Sequence, residues 1–352
     1  MRTFDYSFLK KEKLPSSIVG LLIAIEKANV SGDSLRGTYP NVFKNLEDIA
    51  KVQSVKASNA IEGIVSTDKR IEDIVNQKTE PKNHDEQEIA GYRDVLNRIH
   101  VHYMDDQFRE STILDFHRMM LAPSGLPFRG QYKETDNVIM QVNQFGQRSI
   151  RFQPLSARET PEAMEQLVLA YVDASQDSEI NRLLLTSCVI LDFLCVHPFT
   201  DGNGRMSRLL SLFLLYQNHY GIGKYISFEQ QINLRKGEYY EALKASSSEW
   251  LSGKNTYIPF IENFLTTLLY CYEELNHRFS MMKDKKLNKK RRVEETIYQN
   301  ISPISKEEIH ELWPDIGIDT IQKTLAVLLN EDKISKIGTF KDARYIQKRK
   351  KG

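Results

Sequence analysis

The chain has 352 residues, 41% of them hydrophobic and 27% charged, and a formal net charge of +1. That balance fits a soluble globular protein long enough for two domains. It excludes a disordered chain, a collagen-like chain and a small disulfide scaffold, and it selects no class of partner by bulk charge. Cys188, Cys195 and Cys271 stand in apolar runs and read as buried thiols. Met1 to Lys13 is charged with no apolar centre, and no run approaches the ~18 apolar residues of a membrane span. A reducing cytoplasm and no membrane contact are the expectation.

In chain order, Pro15-Ser16-Ser17 opens a helix to about residue 30, with Ile18, Leu21, Leu22 and Ile25 as its stripe, and a loop with Gly32, Gly37 and Pro40 follows. Asn45 to Glu62 has helical spacing, and Gly63 is suited to cap its C-terminus. A glutamate at that end is mildly unfavourable against the helix dipole, so Glu62 calls for a cationic partner. Helical patterns continue over 67–75 and 86–100, and Ser111 or Thr112 is the expected cap of a helix with Ile113, Phe116 and Met120. His117, alone on that helix, reads as packed or surface polar. Residues 127–152 change character: Asn137 to Val142 alternates, and Gln144-Phe145-Gly146-Gln147 supplies the turn of a hairpin.

Pro161 starts a further helix, and an apolar run from Leu183 to Val196 forms another. Pro198 stops that run, because proline cannot continue the ladder. A helix from about Gly204 to Gln217 follows. The loop between them concentrates chemistry. Gly202 and Gly204 allow main-chain N–H groups to converge on an anion. Arg205 and Arg208, three apart, share a face in the first turn, where two cations oppose the positive dipole end unless something negative lies between them. A polyphosphate answers that demand. His197 is a base suited to neutral pH, and Asp201 offers a hard oxygen to Mg²⁺. A calcium loop starting at Asp201 fails, since Met206 and Leu212 stand where glycine and glutamate are needed. Together these parts describe one phosphate-transfer site.

Beyond it, a helix from about Asn233 carries Tyr239 and Tyr240, and Ile258 to Met281 is a last long amphipathic helix. The basic run Lys283 to Arg292 reads as a linker. After it come a helix at 293–300, a capping box at Ser305-Lys306-Glu307-Glu308, a helix capped by Asp319, and a hairpin over 333–347. From residue 283 onward there are 17 Lys/Arg against 11 Asp/Glu. This unit looks like a winged helix, used either on duplex DNA or for protein contacts and dimerisation. Its third helix carries Lys323 as its one cation.

The string His197-Pro198-Phe199-Thr200-Asp201-Gly202-Asn203-Gly204-Arg205-Met206-Ser207-Arg208 carries, without departure, the signature His-Pro-Phe-x-Asp/Glu-Gly-Asn-Gly-Arg-x-x-Arg, and the chain resembles the Fic family over roughly residues 45–275. The resemblance implies a mainly α fold, a Fic-type helical core with a β-hairpin flap, and a protein adenylyltransferase that moves AMP from Mg-ATP to a Ser, Thr or Tyr hydroxyl of a target protein. It implies that His197 is the base, that Asp201 binds Mg²⁺, and that Gly202, Asn203, Gly204 and Arg205 hold the α- and β-phosphates. Arg208 would meet the γ-phosphate, and Met206 and Ser207 would complete the nucleotide loop. It also places the flap residues Val138, Ile139, Met140 and Gln141 beside nucleotide and substrate, and Tyr239 at the adenine end. Lys133 stands where the family often has arginine. Ser58-Asn59-Ala60-Ile61-Glu62-Gly63 resembles the family's inhibitory-helix motif, which implies that Glu62 pairs with Arg208 in place of the γ-phosphate. The resulting layout is an N-terminal helical region over 1–110 with its inhibitory helix at about 45–63, a catalytic core over 111–282, and a winged-helix domain over 283–352. Three questions stay open at this level. They are AMP removal or both directions through Glu62, a DNA-binding regulator whose core only senses nucleotide, and self-modification or a homodimer.

Overall fold

The computed structural model describes residues 2–142, 148–283, 289–299, 303–313, 316–338 and 343–348. A short 3-10 turn at Ser7–Lys10 precedes α1 (Ser16–Thr38) and α2 (Pro40–Ile61). The loop expected around Gly32 and Gly37 is helix instead, and only Tyr39 separates α1 from α2. The reason is tertiary: Gly32 is buried and faces Leu275 and Tyr272, so α1 is held as helix by packing through this point. Pro40 takes the first position of α2, where its missing N–H costs nothing. Glu62 follows as its C-cap, and Gly63 at φ +84° ends it as expected.

Next come α3 (Asp68–Val75), α4 (His84–His102) and α5 (Glu110–Met120). The α5 cap is Arg109, and Ser111 and Thr112, expected as caps, lie inside the first turn, two and three residues further on. The hairpin is β1 (Ile139–Val142) paired antiparallel with β2 (Arg148–Phe152). Ile139 faces Phe152 and Met140 faces Ile150, so Arg151 is bulged out. The turn expected at 144–147 lies outside the described residues. Then follow α6 (Thr160–Ala174), α7 (Arg182–Val196), α8 (Asn203–Gln217), α9 (Phe228–Leu234), α10 (Lys236–Ser247) and α11 (Ile258–Lys283). The helix expected to begin near Asn233 is broken at Arg235, which separates α9 from α10.

Every residue of α7 from Leu183 to Val196 is buried, as a helix apolar on all sides requires. It packs on α6, α8 and α11, and one apolar cluster extends from Tyr6 to Phe279. Asp192 is the charged residue of α7 buried within it. This fully buried carboxylate accepts from Tyr6 Oη (2.9 Å), Trp250 Nε1 (2.6 Å) and Tyr257 Oη (2.9 Å). The N-terminal segment is thereby tied to the helix that ends at the functional loop. Cys188, Cys195 and Cys271 are buried free thiols. Among the described residues, no helix is long and apolar enough to cross a membrane.

A second apolar cluster, from Val293 to Tyr345, belongs to α12 (Lys289–Gln299), α13 (Lys306–Leu312) and α14 (Ile318–Asn330) with the strands β3 (Ile304–Ser305), β4 (Ile334–Ile337) and β5 (Arg344–Gln347). The sheet is antiparallel in the order β3-β5-β4. The capping box is formed as expected, with Ser305 N–H donating to Glu308 (2.8 Å) and Glu308 N–H to Ser305 Oγ (3.1 Å). Gly317, not Asp319, caps α14; Asp319 sits in its first turn.

His100, on α4, is buried beside Tyr216 Oη at 3.2 Å, and burial, then Lys51 and Lys224, push its pKa down to about 3. Above pH 6.5 the neutral ring costs nothing extra. As pH falls from 6.5 toward about 3, the unfolded chain takes a proton that the folded one refuses, so stability is lost on acidification. His100→Gln should remove on the order of 2 kcal/mol of the stability lost between pH 8 and pH 5, measured by urea unfolding at both pH values.

Candidate active site

The loop between α7 and α8 is shaped by backbone and side chain together. His197 caps α7 at φ +51°, and its N–H bonds the Phe193 carbonyl at 2.9 Å. The Asn203 amide then closes the loop. Its Oδ1 accepts from Phe199 N–H (2.9 Å) and its Nδ2 donates to Phe199 O (2.7 Å). Gly202 turns at φ +81°, where a side chain would also meet the Met120 methyl at 2.6 Å. The first N–H groups of α8 have no partner within their own helix, so the turn at 203–205 is built to receive an anion.

Two buried side chains brace this loop from below. The His117 ring stacks on Phe199 at 3.7 Å and 11°. Its Nδ1 accepts from Gly130 N–H (3.0 Å), which puts the proton on Nε2, 3.1 Å from the Asp201 carbonyl. Burial pushes its pKa down to about 4, so the ring stays neutral and holds both bonds. Lys133 Nζ donates to Leu155 O (2.7 Å), Asn137 Oδ1 (3.0 Å) and Val196 O (3.1 Å), while its N–H bonds Pro198 O (2.9 Å). It locks the root of the hairpin to the C-terminus of α7. Burial drives its pKa down to about 8. Burial first, and then this ammonium, lower the His197 imidazole to about 4, with Glu62 opposing.

The two arginines of α8 are both buried and both face a carboxylate from the N-terminal helices. Arg208 donates from Nε to Ser58 Oγ (2.8 Å), and from Nη2 to Ser58 O (3.0 Å) and Glu62 Oε1 (2.7 Å). Burial raises the cost of ionising Glu62, but Arg208 outweighs it and holds the carboxyl below its usual range. Glu62 lies so close to Gly204 that a Cβ there would stand 2.2 Å from its Oε1. Arg205 pairs through Nη1 with Glu88 of α4, and its Nη2 is 3.3 Å from Asp201 Oδ2. Burial lowers the Arg205 pKa to about 10. The pairs differ in access: the Glu62 side chain is 33% exposed, that of Glu88 only 1%. The Asp201 carboxylate is 56% exposed at the mouth of the loop, open to a hard cation. Met206 is buried, and Ser207 Oγ donates to Gly204 O (2.8 Å).

Tyr239 is buried and lines a small cavity with Ser207, Arg208 and Phe260. The Arg151 guanidinium lies 4.6 Å over the Tyr240 ring, so the bulged residue of β2 ties the hairpin to α10. Val138 and Met140 are 45% and 48% exposed, and Ile139 is half-buried. Gln141 lies on β1. The site residues expected at 197–208 thus come together with Ser58 and Glu62.

Residues 107–215 match the Fic/DOC family. A Fido domain-containing protein of Dictyostelium discoideum is 28% identical over 101 residues, 28% of this chain and 66% of that one, so the chain spans just under two thirds of that relative. A Fic family protein from Desulfovibrio desulfuricans superposes with a TM-score of 0.63 at 19% identity, over 97% of this chain and 98% of that one. A Fic domain containing signaling protein from Bacteroides thetaiotaomicron gives 0.59 at 23% identity, over 71% and 95%. A fragment of Fic-1 from C. elegans gives 0.54 at 18%, over 74% and 75%. These likenesses establish a Fic-type fold, mainly helical with a small β-hairpin. The first of them includes the C-terminal unit.

Sequence reasoning passed over Glu88 and took Lys133 for a peripheral departure, while His117, read as packed or surface polar, is packed. Glu88 had a signal, because it shares the stripe of Tyr92, Val95 and Ile99, and an acid in an apolar stripe calls for a buried cation. Removing one partner of such a pair leaves an uncompensated charge. Glu88→Ala should cost about 3–5 kcal/mol in urea unfolding, against about 1–2 kcal/mol for Glu62→Ala, whose site opens to water. Equal losses would contradict the assignment of Glu88 as the fixed counter-ion.

Proposed function

We propose that the chain transfers AMP from Mg-ATP to a Ser, Thr or Tyr hydroxyl of a target protein, and that Glu62 restrains the reaction. The observation that carries this reading is the triple hold of Ser58 and Glu62 on Arg208. A carboxylate and a phosphate oxygen are alternative partners for one guanidinium. A triphosphate seated on the first turn of α8 has to take Arg208 from Glu62, which its exposure and its single hydrogen bond to Arg208 permit.

The remaining residues fit the roles this chemistry needs. His197 stays neutral at neutral pH, and its Nδ1 is buried, so the target hydroxyl's proton is taken at Nε2. The free N–H groups at 203–205, with Arg205 and Arg208, hold phosphate charge in a partly dry site. Among the described residues no group of three or more metal-ligating side chains occurs. A single exposed carboxylate, Asp201, suits Mg²⁺, which takes one or two carboxylates plus substrate phosphates. When bound, Mg²⁺ neutralises phosphate charge. Val138, Ile139, Met140 and Gln141 on the hairpin offer an edge for the target segment, and Tyr239 is assigned to the adenine end. Removal of AMP, with Glu62 as a base for water, uses the same residues and is the alternative direction.

The C-terminal unit, with three helices and a β3-β5-β4 sheet, fits a winged helix. Most of its basic residues lie in linker and tail, so duplex DNA and a protein contact stand level for it, and a regulator that binds DNA while its core senses nucleotide is the rival reading. A sensor has no use for a base, which weighs against it.

The test is transfer of label from ATP marked at the α-phosphate, with Mg²⁺ and cell lysate. Glu62→Gly should label protein at least tenfold above wild type, and Glu62→Gly/His197→Ala should lose the label. Absence of label in every sample would sink AMP transfer. DNA retention unchanged in His197→Ala would then favour the regulator.

A further inference from the structure

α2 is one rod with two occupied faces. Near its C-terminus, Ser58 and Glu62 hold Arg208. Nearer its N-terminus, Ile49 and Val52 line a cleft of about 470 Å³ whose opposite wall is the C-terminal unit, including Ile304, Leu312 and Arg344. At ~100° per residue, Ile49 points about 180° away from Ser58 and about 140° away from Glu62. The C-terminal unit therefore presses on α2 from behind the arginine. Leu312, the last residue of α13, packs against both apolar clusters and joins the two bodies. The wall it belongs to is stiff, since Arg344 of β5 bonds Pro303 O (2.9 Å) and Glu308 of α13 (2.9 Å).

We infer that the C-terminal unit is a brace that keeps α2 seated, so that its docking through α13 sets how firmly Glu62 holds Arg208. α2 has no proline or glycine in its interior, the usual sites of a kink, so it shifts as one body. Support lost at Ile49 is thus transmitted to Glu62, about 20 Å along the axis. The brace shares its task. α4 and α9 also pack on α2, and Lys236 Nζ holds the Ile61 carbonyl at 2.6 Å. Its removal accordingly biases the Glu62 hold without abolishing it. This rests on the reading of Glu62 as a restraint, and the experiment below separates the two.

Leu312→Asp and, from the other wall, Ile49→Asp are compared with wild type in the full chain, each with and without Glu62→Gly. Hydrogen exchange reads residues 57–62 directly. It should speed up three- to tenfold in both variants, with Leu312→Met left near wild type. Label transfer should rise several-fold in both, and should not rise further where Glu62 is already glycine. Unchanged exchange at 57–62 in both variants would overturn the brace. So would a rise in label that persists in full in the Glu62→Gly background. If Leu312→Asp also unprotects α12 and α14, the brace is removed by another route, and exchange at 57–62 must still rise. Faster exchange with no label in any variant leaves the brace standing and rejects AMP transfer.

Discussion

Two guanidinium groups buried within one helical turn, at the positive end of that helix, form an arrangement that has to be neutralised from outside α8. Most of the N-terminal architecture follows from that demand. α2 delivers Ser58 and Glu62 to Arg208, and α4 delivers Glu88 to Arg205. The two carboxylates do different work because they differ in access to water. Glu88 is sealed, so its pairing with Arg205 is permanent and belongs to the folded state. Glu62 is partly open, so its place can be taken by another anion. One pair is sealed and the other faces water, and the difference lies in burial.

The same logic of spent and unspent groups runs through the loop. The Asn203 amide is committed to Phe199. The His117 ring is committed to Gly130 and the Asp201 carbonyl, and the Lys133 ammonium to three oxygens around the C-terminus of α7. What remains uncommitted is main-chain N–H and the His197 ring, beside an exposed Asp201 carboxylate that keeps one bond, 3.3 Å, from Arg205. The loop is stiff because its polar side chains are used internally, and this leaves a small, well-aimed set of groups for a ligand.

Legibility in the sequence followed the range of the interaction. His197 to Arg208 is contiguous, so the loop and the shared face of its two arginines were readable there. Gly63 and the Ser305–Glu308 box are equally local, and both formed. Ser111 and Asp319 misled for a local reason too: each is a good cap two residues beyond the residue that takes the position, Arg109 or Gly317. The remainder depended on contacts distant in sequence. Gly32 looks like a break until Leu275 and Tyr272 are placed across from it. Lys133 reads as a departure from arginine at a peripheral contact until three carbonyl and amide oxygens surround it. Periodicity reports which face of a helix is apolar, and it is silent on which partner meets a polar residue within that face.

The close approach of Glu62 to Gly204 ties two distant positions into one evolutionary unit. Any side chain at 204 would occupy the space of the Glu62 carboxylate. Alanine or serine there would push the Glu62 carboxylate off its place beside Arg208. Glycine is expected at 204 wherever the glutamate keeps that place, and loss of the glutamate still leaves the glycine answerable to the anion-receiving turn at 203–205.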